Sequence, residues 1–142
     1  MATINPYLNF PGTAEEAFAF YKSVFGGEFL CVNRFKDIPE NDKIPADAMD
    51  KIMHIALPIG NGNILMATDA PASMGFTLNV GNNLYLSVNV DSREEAERIF
   101  AGLSKGGKIE QPLADMFWGA YYGSFTDKFG IGWMVSYENP KG

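Results

Sequence analysis

Thr13-Ala14-Glu15-Glu16-Ala17, an apolar helix pattern and Gly26-Gly27 return later in the chain as Ser92-Arg93-Glu94-Glu95-Ala96, a second helix pattern and Gly106-Gly107. Each copy follows a short alternating strand, Ile4 to Phe10 in one case and Leu84 to Val90 in the other. Thr13 with Glu16, and Ser92 with Glu95, have the spacing of a capping box, in which a hydroxyl and a carboxylate each satisfy an orphan amide of the first helical turn. Behind the caps, Ala14, Ala17, Phe18, Tyr21, Val24 and Phe25, then Ala96, Ile99, Phe100 and Leu103, recur at helical spacing. Each helix should therefore lay one apolar stripe on a sheet. The paired glycines suit a helix stop and a turn.

Working outward, the first copy continues with a strand over 28–35, a Pro- and Asp-rich loop over 36–50, a strand over 51–59, the turn Gly60-Asn61-Gly62 and a strand over 63–69. The second continues with Lys108 to Glu110, a loop at Gln111-Pro112-Leu113, a strand over 117–126, a turn at Asp127 to Gly130 and a strand over 131–137. The prediction is an α+β fold of two tandem βαβββ modules, 1–69 and 83–142, joined by a connector over 70–82.

Composition narrows the function. With 142 residues, 46% hydrophobic and 20% charged, the chain reads as one domain with a packed core. A net charge of -6 and no basic run with interleaved aromatics argue against a nucleic-acid partner. No segment is apolar for long enough to cross a bilayer, and the N-terminal residues lack a signal pattern, so the expected location is cytoplasmic. Cys31 stands alone, which excludes an internal disulfide and a cysteine-built zinc site; it reads as a small buried hydrophobe in a strand.

Period-two alternation separates the faces of the strands. Ile4, Leu8 and Phe10, then Met53, Ile55 and Leu57, then Leu86, Val88 and Val90 should pack beneath the helices. The opposite faces carry Asn5, Tyr7 and Asn9; His54; and Asn83, Tyr85, Ser87 and Asn89. Such neutral hydrogen-bonding groups fit either a solvated face or a cleft in which they orient a bound molecule, with Trp118, Tyr121 and Tyr122 as aromatic walls. His54 is the one group that titrates near neutral pH without large perturbation, and either a structural hydrogen bond or acid–base work explains it. Asp69 and Asp127, at strand ends, read as turn caps, and Trp133 and Val135 as core.

The pattern resembles the vicinal-oxygen-chelate superfamily, which includes glyoxalase I, bleomycin-resistance proteins and extradiol dioxygenases, and within it the PhnB-like branch. The stretches that carry the likeness are Pro6 to Phe10 before Ala17 to Tyr21, His54 to Gly60, Leu65 to Ala70, Asp115-Met116-Phe117-Trp118-Gly119, Thr126 to Gly130, and Trp133. The resemblance implies a single domain whose paired modules form a curled, cleft-containing mixed sheet, a small-molecule ligand and homodimerisation. Its metal enzymes place ligands at positions that fall near Asn5, His54, Asn83 and Met134. Only His54 is a competent ligand for a first-row metal, so no metal and no cofactor are expected. The leading expectation is a metal-free small-molecule-binding protein whose site holds Asn5, Tyr7, Asn9, His54, Asn83, Tyr85, Ser87, Trp118 and Met134. The alternative is a lyase or isomerase with His54 as catalytic acid or base. Some relatives carry a demethylubiquinone methyltransferase label, for which no glycine-rich nucleotide-binding turn is visible.

Overall fold

The computed structural model describes residues 2–138; the expected end of the second module, at 139–142, lies outside them. The chain divides between Asn79 and Val80 into two compact units. The first comprises β1 (Tyr7–Phe10), α1 (Ala14–Phe25), β2 (Cys31–Arg34), β3 (Ile52–Gly60) and β4 (Asn63–Asp69). The second repeats the order with β5 (Leu86–Asn89), α2 (Arg93–Ser104), β6 (Lys108–Asp115), β7 (Ala120–Thr126) and β8 (Gly132–Glu138). Each unit forms a four-stranded mixed sheet, β1-β4-β3-β2 and β5-β8-β7-β6, in which the first strand runs parallel to the last and the other neighbours are antiparallel.

The helical stripes lie where periodicity places them. Ala14, Ala17, Phe18 and Tyr21 of α1 are fully buried, as are Ala96 and Leu103 of α2. Burying a side chain such as Phe18 contributes about 1.5–3 kcal/mol. From the sheets, Phe10, Ile55, Leu57 and Leu65 complete the core of the first unit, and Phe125, Trp133 and Val135 that of the second. Gly123 is required beneath α2, because a Cβ there would lie 2.6 Å from the Phe100 ring.

The caps differ from the expectation. Ser92 Oγ accepts from Glu95 N at 3.0 Å, while the Glu95 carboxylate accepts from Asp91 N, one residue before the cap. Thr13 makes no side-chain capping bond. Its role passes to Asp69, which is 1% exposed and accepts from Ala14 N at 2.9 Å and Ile52 N at 2.8 Å. A carboxylate at the first turn of α1 also suits the helix dipole. Asp127 caps its turn as expected, accepting from Phe129 N and Ile131 N, and in addition holds Trp133 Nε1 at 2.8 Å.

Several strand limits are corrected. β1 begins at Tyr7 rather than Ile4, β2 at Cys31 rather than Glu28, and β7 at Ala120, after a turn closed by Met116 N donating to Ala120 O. β6 runs through Pro112, where a loop was expected; as the edge strand it can accommodate a residue without an N–H, with register shifts on either side of Gln111. The 36–50 segment is ordered as short 3-10 turns, with Ala48 buried and Lys36 N donating to Met49 O.

Candidate ligand-binding face

In β1, Leu8 and Phe10 are buried and Tyr7 and Asn9 are exposed. Strand register then brings neighbours to the exposed side. Tyr7 lies opposite Met66, Met66 opposite Ala56 and Ala56 opposite Cys31, while Asn9 pairs with Thr68 and Asn33 with His54. Cys31 is partly buried on the same face, with β4 and β3 between it and Tyr7, rather than in the core. At the centre, Tyr7 Oη lies 3.2 Å from His54 Nδ1, and the two rings stack at 5.7 Å with 24° between their planes. Burial, and secondarily Cys31, raises the Tyr7 phenol above its ordinary value, so it stays protonated. A protonated phenol can donate to Nδ1 or accept from it, so the histidine tautomer sets the direction of this bond.

The predicted residues divide by role. Tyr7, Asn9 and His54 share this face. Asn5, at its margin, accepts from Ile64 N through Oδ1 at 3.1 Å and so helps to fix the start of β4. In the second unit Ser87 and Ser124 flank Met134, and Asn89 and Tyr122 flank Ser136. Trp118, 54% exposed, packs edge-on against Tyr122 at 6.0 Å. Tyr85 lies over Gly132, where a Cβ would come within 2.9 Å of its ring, and donates to Glu110 Oε1 at 2.6 Å. That bond raises the Tyr85 phenol and, with Thr126, lowers the Glu110 carboxyl. Asn83 is exposed ahead of β5. Tyr121 is not an aromatic wall: it is buried, carries the Arg93 guanidinium 4.0 Å above its ring and donates to Glu97.

Sequence reasoning missed Met66, Thr68, Cys31 and Asn33. The alternation of β4, counted from the Gly60-Asn61-Gly62 hairpin, carries the signal for the first pair. One cluster of charged groups of the first unit gathers elsewhere, around a groove of about 390 Å³ whose lining includes Glu15, Glu16, Arg34, Asp50 and Lys51. There Arg34 grips Glu15 through both guanidinium nitrogens, at 3.0 and 2.7 Å, and depresses its carboxyl.

The sequence profile of the 3-demethylubiquinone-9 3-methyltransferase family matches residues 2–136. The chain belongs to that family. A solved relative, protein PA1353 from Pseudomonas aeruginosa, is 41% identical over 98% of this chain and 99% of its own, with a TM-score of 0.86. The PhnB protein from Bacillus cereus is 26% identical over 96% and 99%, with a TM-score of 0.77. A glyoxalase/bleomycin resistance protein from Albidiferax ferrireducens shares the fold at 15% identity, over 94% and 96%, with a TM-score of 0.65. The expected PhnB-like, vicinal-oxygen-chelate architecture is thus the fold of this family member.

The metal used by enzymes of that fold does not fit the donors present. Among the described residues no group of three or more His, Cys, Asp or Glu is placed to hold an ion. Of the matched positions, Asn5 spends its oxygen on Ile64 N, and Met134 is a thioether, suited to soft ions. The family's name describes methyl transfer, yet Gly60-Asn61-Gly62 is a β3–β4 hairpin turn, with left-handed backbone at each of its residues, rather than a nucleotide cradle. No helix among the described residues is long and apolar enough to cross a membrane.

Proposed function

We propose that this family member is a metal-free small-molecule-binding protein of the glyoxalase/bleomycin-resistance type, with its site centred on Tyr7 and His54. The observation that carries this is the stacked, hydrogen-bonded Tyr7–His54 pair on a sheet face with Tyr7 still 47% exposed. A purely structural pair would be expected beneath other side chains. Here two polar aromatic rings hold each other's orientation and remain open to a ligand. Asn9, Thr68 and Asn33 supply further donors and acceptors, and Asn5 braces the margin.

A second reading has His54 as the acid or base of a lyase or isomerase. It is favoured by the same bond, since Tyr7 engages Nδ1 and orients the ring while leaving Nε2 as the second ring nitrogen for proton transfer. A working homodimer is part of the proposal, supported by Phe117 and Trp118, which are 98% and 54% exposed. Cytoplasmic location is also inferred.

Thermal-shift screening of neutral metabolites in the presence of a chelator tests the binding reading. Stabilisation is expected for the wild type and is expected to be lost in His54→Ala and weakened in Tyr7→Phe. Full retention of binding in His54→Ala would remove the site from this face. A turnover that vanishes in His54→Ala and is restored by neither added imidazole nor added metal would favour catalysis instead.

A further inference from the structure

Charged residues make up 20% of the chain, and the first sheet's open face has none among its described residues. Tyr7, Asn9, His54, Met66, Thr68 and Asn33 occupy it through the strand register; Tyr7 and Asn9 are exposed, the other four are partly buried, and none is fully buried. A sheet face that merely meets water gains solubility from lysine and glutamate, and those side chains are absent here. Glu15, Glu16, Arg34, Asp50 and Lys51 surround the groove beside α1 instead.

We propose that this face selects an uncharged, ring-bearing ligand with a carbonyl or ether acceptor, and discriminates against carboxylates, phosphates and phosphonates. The proposal rests on the ligand-binding reading above. The amides of Asn9 and Asn33 are donors on this face, Asn33 directly opposite His54 in the register, and with Tyr7 on Nδ1 the second ring nitrogen of His54, Nε2, adds a donor in its Nε2–H tautomer. The stacked rings and the Met66 thioether offer apolar surface to a ring. An anion settling there gives up its hydration with no cation to meet it. The chain's net charge of -6 adds a longer-range repulsion that salt screens.

The test uses neutral and anionic partners of matched shape: benzamide with benzoate, phenylacetamide with phenylacetate, and dimethyl phenylphosphonate with phenylphosphonate. Each is titrated into the full chain at pH 8 and followed by NMR through the ring signals of His54. That residue is the chain's single histidine, so its signals need no assignment among several. The neutral member of each pair is expected to move those signals with an affinity at least about tenfold above its anionic partner. In Asn9→Lys, a substitution at an exposed position, the anions should gain and the gap should close. Anions that move the His54 signals as readily as their neutral partners in the wild type would overturn charge selection and leave ligand binding standing. Signals that stay still with every compound would overturn both.

Discussion

Asp69 ties together three places that no local pattern connects. Its carboxylate takes the first amide of α1 and the first amide of β3 while standing at the end of β4. Hydrogen bonds to a charged group contribute about 1.5–3 kcal/mol each, and stranded buried amides add a penalty of their own. Asp69→Ala is therefore expected to cost about 3–5 kcal/mol in denaturant unfolding, whereas Thr13→Ala should stay within about 0.5 kcal/mol. Equal losses would return the cap to Thr13. The residue scale is where sequence was least legible. Thr13-x-x-Glu16 has the right spacing and makes no such cap, because a stronger acceptor arrives from 55 residues away. Tyr7 and His54, by contrast, were both legible as members of polar faces. Their mutual bond was not, since 47 residues separate them and only the β1–β4–β3 pairing closes the gap.

At the scale of elements, each helix could be read because cap, stripe and stop agree with one another. α2 keeps the cap that its sequence announces, so Ser92→Ala should lower stability by about 1 kcal/mol. Gly123→Ala should cost more, about 1–3 kcal/mol, because the added methyl would meet both the Phe100 ring at 2.6 Å and Gln111 O at 2.9 Å. Thermal unfolding of the two variants checks the order; a Gly123→Ala variant as stable as the wild type would mean that α2 can lift from β7 without loss. Strand interiors were legible from alternation, and strand ends were not. Pro112 illustrates the reason: proline reads as a break wherever the strand's position in the sheet is unknown, and only the sheet order reveals β6 as an edge. Trp118 and Tyr121 show the same limit for side chains. Once β7 starts at Ala120, Trp118 belongs to a turn and Tyr121 turns towards α2.

At the scale of the molecule, the repeated motif specifies both units, and the two sheets indeed share one strand order. What the repeat could not convey is how the charges pair, and this sets the response to pH. In the first unit Arg34 lowers the Glu15 carboxyl and Lys36 lowers that of Asp50; in the second, Tyr85 and Thr126 lower Glu110. For each of these acids the unfolded chain binds its proton at higher pH than the folded one, so folding is favoured above the ordinary values of 4.5 for glutamate and 3.8 for aspartate. That contribution is lost as pH falls through the depressed folded values. The phenols of Tyr85 and Tyr121 have the opposite sign. Raised by hydrogen bonds to Glu110 and Glu97, they stabilise below the ordinary value of 10.0 and lose that contribution as pH climbs beyond it. The melting temperature should accordingly hold across the neutral range and fall at both extremes. The acid limb should be shallower in Arg34→Gln, which frees Glu15, and in Glu110→Gln, which removes a titrating group. These groups are exposed, so added salt should shrink the differences. An acid limb identical in slope for the wild type and both variants, at low salt, would show that other carboxylates govern the acid transition.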